Sequence, residues 1–94
     1  MPYVLIQHRV ADYGKWKRVV NSAKPWRKAS GEKSLQVYLS SRNPNDLTVV
    51  CQWDTAVRMQ KFIKSPKLRE RMMDAGVISK PSVTFYRKSE DLSV

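Results

Sequence analysis

His8 is the only side chain of this 94-residue chain that titrates near neutral pH without help from its surroundings, which makes it the first candidate general base. It lies in the run YVLIQHRV, whose alternation places Val4, Ile6, His8 and Val10 on one face of an extended strand. A base there would act in apolar surroundings. A hydrogen-bonded core histidine would leave the same pattern, and both readings stand. Trp16, Trp53, Met59, Phe62 and Met72 supply flat or polarisable surface at low entropy cost. Between a sheet and its helices they could line a pocket for an aromatic ligand, or simply fill the core. Cys51, the one cysteine, sits in the apolar run LTVVCQW and is expected to be a buried, inert thiol. A metal site needs three or four ligands in register; one His and one Cys, even with Asp54 or Asp74, give no such spacing, so no metal is expected.

The elements that must hold these residues follow from changes of period. Tyr3 to Val10 reads as a β-branched and aromatic strand, with Tyr3, Leu5, Gln7 and Arg9 on its second face. Asp12 suits the cap of a helix whose buried stripe is Tyr13, Trp16, Val19, Val20 and Ala23. Pro25 either kinks that helix or ends it near Ala23, with a short second piece then running to Gly31. SLQVYLS, residues 34–40, alternates as a strand, and the turn formers of Arg42 to Asp46 join it to a third strand at 47–53 as an antiparallel hairpin.

Within two residues of Trp53 the pattern becomes helical, with Ala56, Met59, Phe62 and Ile63 on one face and Asp54 and Thr55 as caps. The residue before a proline avoids the α region, so this helix should break near Ser65. A second should start at Pro66 with Ser65 as N-cap, bury Leu68, Met72 and Ala75, and stop at Gly76. Ser82 to Arg87 is the last strand, and 88–94 is expected to be a frayed tail.

The order β, α, β, β, α, β predicts one domain over 1–94, an α+β ferredoxin-like fold: a four-stranded antiparallel sheet with helices on one face. Right-handed crossovers place strands one and three in the centre. The opposite face would carry Tyr3, Leu5, Tyr38, Val50 and Tyr86, or the alternate set, with no helix left to cover it. A second copy packed face to face solves that problem, so a homodimer is expected.

Eighteen Lys and Arg against eight Asp and Glu give a net charge of +10, which attracts anions of every kind. Most of these cations fall on helix positions that face water. Nucleic acid is not the expected partner, because LTVVCQWD lacks the glycine and the basic and aromatic positions of an RNP1 strand. No apolar run approaches the roughly 20 residues of a membrane span, and MPYVLIQHRV lacks the marks of an export peptide. With a single cysteine, a reducing cytoplasm is the expected location.

Three stretches, YVLIQHRVADYGKWK, NPNDLTVVCQWD, and FIKSPKLRERMMDAGV followed by KPSVTFY, resemble the dimeric α/β-barrel superfamily, in its antibiotic biosynthesis monooxygenase-like branch. The likeness runs from about Tyr3 to Arg87. It implies a barrel formed by two sheets, a small hydrophobic or aromatic ligand and, in the oxygenases of the branch, no cofactor. Those oxygenases set an asparagine, a tryptophan and a tyrosine around an electron-rich aromatic. By that resemblance Trp53 and Tyr38 are substrate-orienting candidates, whereas Asn21, Asn43 and Asn45 fall on a helix and in the hairpin loop. The haem-degrading branch uses a helix-borne histidine, which this chain lacks. The expected site is thus His8 as base with Trp16, Tyr38, Trp53, Phe62 and Met72 about the substrate. A non-catalytic ligand-binding protein is the alternative.

Overall fold

A computed structural model describes all 94 residues. In chain order the elements are β1 (Pro2–Arg9), α1 (Tyr13–Ser22), α2 (Lys24–Ser30), β2 (Glu32–Leu39), β3 (Asp46–Trp53), α3 (Ala56–Ile63), α4 (Pro66–Asp74) and β4 (Ser82–Arg87). The strands form one antiparallel sheet in the order β2-β3-β1-β4, with β1 and β3 central as expected.

Both helical arms are broken where the sequence breaks them. Asp12 accepts from the backbone N–H groups of Gly14 and Lys15 and starts α1. The chain then leaves helical geometry at Ala23, and Pro25 sits in the first turn of α2, where its missing N–H costs nothing. Thr55 and Ser65 accept from Arg58 N and Leu68 N to start α3 and α4. Gly76 follows α4 with φ +78°, the left-handed position that an L side chain avoids. Its carbonyl accepts from Ala11 N–H at 2.9 Å, and Val10 bridges Val77, which ties the end of α4 to the end of β1.

One sheet face is packed by the helices. Val4, Ile6 and His8 from β1, with Val10 just after it, meet Leu47, Val49, Cys51 and Trp53 from β3, covered by Trp16, Met59, Phe62 and Ala75. The other face carries Tyr3, Leu5, Tyr38, Val50 and Tyr86, as read from the sequence, and Tyr38 and Tyr86 are 57% and 52% exposed. It is less apolar than the pattern suggested. Gln7, Gln36, Thr48, Gln52 and Thr84 stand among those residues on the same side.

The second strand begins two residues earlier than expected. Glu32 pairs with Trp53 and Ser34 with Gln52, so Lys33 is an extra residue in a bulge. Strict alternation back from Leu35 would point Lys33 inward and Glu32 outward. The bulge reverses this, burying Glu32 and leaving Lys33 exposed. Gly31, just before it, has φ +118°, and a Cβ there would overlap the Asp54 carboxylate.

Candidate functional site

The helix-covered sheet face and the helices enclose a cavity of about 90 Å³ whose 20 lining residues are mostly apolar. Its floor is β1 and β3, which present Val4, Ile6 and His8 beside Val49, Cys51 and Trp53. Its roof comes from all four helices, through residues such as Trp16, Val20, Phe62 and Met72. Five of the six residues singled out in the sequence, namely His8, Trp16, Trp53, Phe62 and Met72, therefore line one space.

Tyr38 does not. It lies on the opposite sheet face, because its neighbours Val37 and Leu39 take the inward phase of β2. Tyr38 and His8 instead share a separate open cleft at the edge of the sheet, with Arg9, Asp46 and Ser79. Met59 is 2% exposed and belongs to the packed core rather than to the cavity wall.

His8 stands at one end of the cavity. It is 7% exposed, and its ring lies 5.9 Å from that of Trp16, which in turn stacks on Tyr13 at 5.9 Å. Neither ring nitrogen has a hydrogen-bond partner within the protein. The hydrogen-bonded core histidine is therefore not what the fold builds. Burial without a counter-charge pushes the imidazole pKa below its ordinary value, so the ring is neutral at pH 7 with a lone pair free to accept a proton.

Trp53 stands at the other end. It lies six positions along β3 from Leu47, the partner of His8, a backbone distance of roughly 20 Å at about 3.3 Å per residue. Its ring contacts Phe62 at 4.8 Å, and Phe62 contacts Trp26 at 4.5 Å. Lys67 Nζ sits 4.6 Å over the Trp26 ring.

Beside Trp53 the bulge has brought in Glu32, which the sequence reading missed. Arg27, from α2, donates to the Glu32 carboxylate through Nη1 and to the Val20 carbonyl through Nη2 at 3.0 Å. Burial raises the Glu32 pKa, opposed by the Arg27 charge and by hydrogen bonds from Arg27 and Cys51. The Cys51 thiol is pushed far up by burial and by the adjacent Glu32, an inert group in keeping with its place in the strand. The only sequence signal for this cluster was Gly31 immediately before two charged residues at a strand start.

The four buried side-chain nitrogens without a partner in the protein are His8 Nδ1 and Nε2, Trp53 Nε1 and Arg27 Nε. All belong to residues lining the one cavity. An apolar chamber with unpaired donors at both ends suits a largely apolar ligand carrying oxygen acceptors, since leaving such groups unpaired costs about 1–3 kcal/mol each. No three His, Cys, Asp or Glu side chains come together in a metal-holding group. Asn45, in the hairpin loop, is engaged in the fold, its Oδ1 accepting from Tyr13 N–H at 3.2 Å.

No protein-family model and no curated protein sequence matches the chain. Solved structures do. A candidate antibiotic biosynthesis monooxygenase of Bordetella bronchiseptica superposes with a TM-score of 0.77 at 19% identity, over 95% of this chain and 97% of that one. A second, from Deinococcus radiodurans, gives 0.70 at 15% identity over 100% and 98%. SnoaB, a cofactor-independent oxygenase of Streptomyces nogalater, gives 0.77 at 9% identity over 97% and 95%. At these identities the likeness is one of fold. With near-complete coverage of both chains, the chain has the ferredoxin-like α+β fold of the antibiotic biosynthesis monooxygenase structures.

Proposed function

We propose that this protein binds a small, largely aromatic metabolite in the sheet–helix cavity and acts on it as a cofactor-independent monooxygenase with His8 as its base. The observation that carries the reading is the convergence of every unpartnered buried side-chain nitrogen on that cavity. Unpaired groups of this kind are costly to keep unless something is to meet them. The printed description of SnoaB, whose fold this chain shares, supports the class of reaction.

The chemistry asks little of the protein. Neutral His8 Nε2 or Nδ1 takes the acidic proton of a quinol or anthrone, which becomes an electron-rich anion held against Trp16. That anion reduces molecular oxygen, and the two combine to a carbon-bound peroxide, to which the imidazolium returns its proton. Loss of water leaves a new carbonyl. One oxygen atom is then in the product and one in water, the substrate has supplied the electrons, and His8 is regenerated. Desolvation favours the neutral base before transfer, and the attraction between imidazolium and substrate anion in the same low-dielectric space offsets part of the cost of creating the two charges.

A second copy belongs to the same proposal. The outer sheet face, with Tyr3, Leu5, Tyr38, Val50 and Tyr86, bears apolar residues and is covered by no helix. Pairing two such faces would close the barrel, with an interface in the usual range of about 800 Å² per partner.

Oxygen consumption with quinol and anthrone substrates tests the reaction. His8→Ala should lower the rate by about 100-fold or more, the contribution expected of a positioned base; an undiminished rate refutes the assignment. One observation favours a second reading, a non-catalytic ligand-binding protein: the remaining titratable cavity residues, Arg27, Glu32, Cys51 and Arg71, include no acid or base on the strand segment of His8. A bound molecule recovered chemically unchanged after incubation in air would decide for it.

A further inference from the structure

Outside the cavity, between α1, α2 and the edge strand β2, lies an open cleft of about 510 Å³. Trp16, Val20, Arg27, Glu32 and Leu35 line both spaces, so the wall between them is built of these side chains. The inner volume of about 90 Å³ is below the roughly 150 Å³ of a dry cavity that admits benzene. An aromatic ligand is too large for the inner space alone and must extend across the shared wall into the cleft.

The cleft is strongly and asymmetrically charged. Lys17 from α1, Lys24 and Lys28 from α2 and Lys33 from the bulge of β2 all line it, and all four are exposed. None is neutralised: the ion pairs of the molecule are Arg9–Asp46, Arg27–Glu32, Arg58–Asp54 and Lys88–Asp91. The one acid in the cleft is Glu32, and Arg27 already meets its charge. Lysines that merely solvate a helix point away from one another into water. Here three separate elements bring four of them to a single concavity, Lys33 coming from the bulge of β2. The smaller cleft outside Trp26 differs, since its Arg58 is committed to Asp54 and to the Ala29 carbonyl.

We infer that this cleft is the entrance to the cavity, and that its four lysines select ligands bearing an anionic group on an aromatic or apolar body: a small carboxylate, sulfonate or phosphate ester. The inference rests on the reading of the cavity as a ligand site. The anionic head stays among the ammonium groups, and the body passes Trp16 and Val20 toward the unpaired nitrogens within. A concavity that gathers charge focuses the field on one small anion, whereas a nucleic acid needs cations strung along its backbone.

Calorimetric titration of the intact protein with 2-naphthoate and with 2-naphthamide, the same body with and without the charge, tests this. Naphthoate should bind about tenfold more tightly at low ionic strength, an advantage that shrinks to about twofold near 0.5 M salt as screening shortens the reach of the lysines. Lys24→Glu/Lys28→Glu should abolish the preference, bringing naphthoate affinity down to or below that of naphthamide. Lys17→Glu/Lys33→Glu, on different elements, should do the same and guards against a folding defect in the first pair. Equal affinities in the wild type, or a preference that survives both double variants, overturns the inference while leaving the cavity a ligand site. Binding of neither probe overturns both. RNA that displaces naphthoate at 0.15 M salt, with a steep salt dependence, would make the lysines a polyanion surface instead and equally refute selection of a small anion.

Discussion

The two ends of the cavity treat a buried acid and a buried base in opposite ways. At the Trp53 end Glu32 is met: Arg27 donates to it, Cys51 lies beside it, and the guanidinium is itself held by the Val20 carbonyl. At the other end His8 is neutral and meets nothing. A buried charge with its counter-ion is a structural device that fixes how α2 sits against β2. A buried neutral base with both nitrogens unpaired adds nothing to the fold, which is the condition expected of a group kept for a ligand. The contrast also explains why two residues of equal burial should respond differently to mutation and to pH.

The largest effect is expected where the pair is broken. Arg27→Met leaves the Glu32 carboxylate buried without its partner and should destabilise the protein by about 3–5 kcal/mol in a denaturant titration. Removing both charges, as Arg27→Met/Glu32→Leu, should recover most of that loss, since the cost lies in the orphaned charge rather than in the absence of the pair. A double variant as unstable as the single one would mean that the two ends differ less than their contacts imply, and that packing of the arginine stem supplies the stability.

His8 should behave in the reverse sense. His8→Phe removes two unpaired nitrogens from an apolar wall and should leave stability at pH 7 unchanged or raise it by about 1 kcal/mol, while oxygen consumption is lost. The pH dependence sharpens the comparison. The folded-state pKa of His8 is lowered, so below its ordinary value of 6.5 the unfolded chain binds the proton first. The stability associated with neutral His8 is complete above pH 6.5 and is lost as pH falls below it. For Glu32 the folded pKa is raised above 4.5, so the folded state holds its proton longer; that contribution is present below pH 4.5 and is lost as pH rises. Melting temperatures followed from pH 7.5 to 5.5 should fall in the wild type and stay flatter in His8→Phe. Parallel profiles would show that the imidazole is not buried neutral.

Most of the fold was written in local patterns. The caps Asp12, Thr55 and Ser65, the prolines at 25 and 66, and the 3.6-to-2 changes of period fixed the elements and the sheet order without any long-range information. The site was legible where strict alternation held, as for His8 on β1 and Trp53 on β3. It failed where the chain departs from alternation. Glu32 and Arg27 were missed because a bulge reverses the phase of two polar residues, and a polar strand start carries no hydrophobic signal of its own. The separation of His8 from Trp53 was likewise invisible, since it is set by strand register across β1 and β3 rather than by either strand alone. Tyr38 was assigned by likeness to oxygenases that use a tyrosine; the β2 phase of this chain puts it on the far face.

Tyr38 provides the smallest expected effect on the cavity. It does not line the inner cavity, so Tyr38→Ala should change naphthamide affinity less than about twofold and stability by no more than about 0.5 kcal/mol, as for surface positions generally. If the outer faces pair, its effect appears elsewhere: Tyr38→Asp, adding Tyr86→Asp if needed, would place charges in that interface and shift a dimer toward monomer in light scattering at micromolar concentration. A loss of ligand affinity in Tyr38→Ala together with dissociation would mean that the second copy shapes the cavity through the sheet. Dissociation with affinity intact would show that the two faces work independently, and that the difference between the cavity's ends is a property of the single chain.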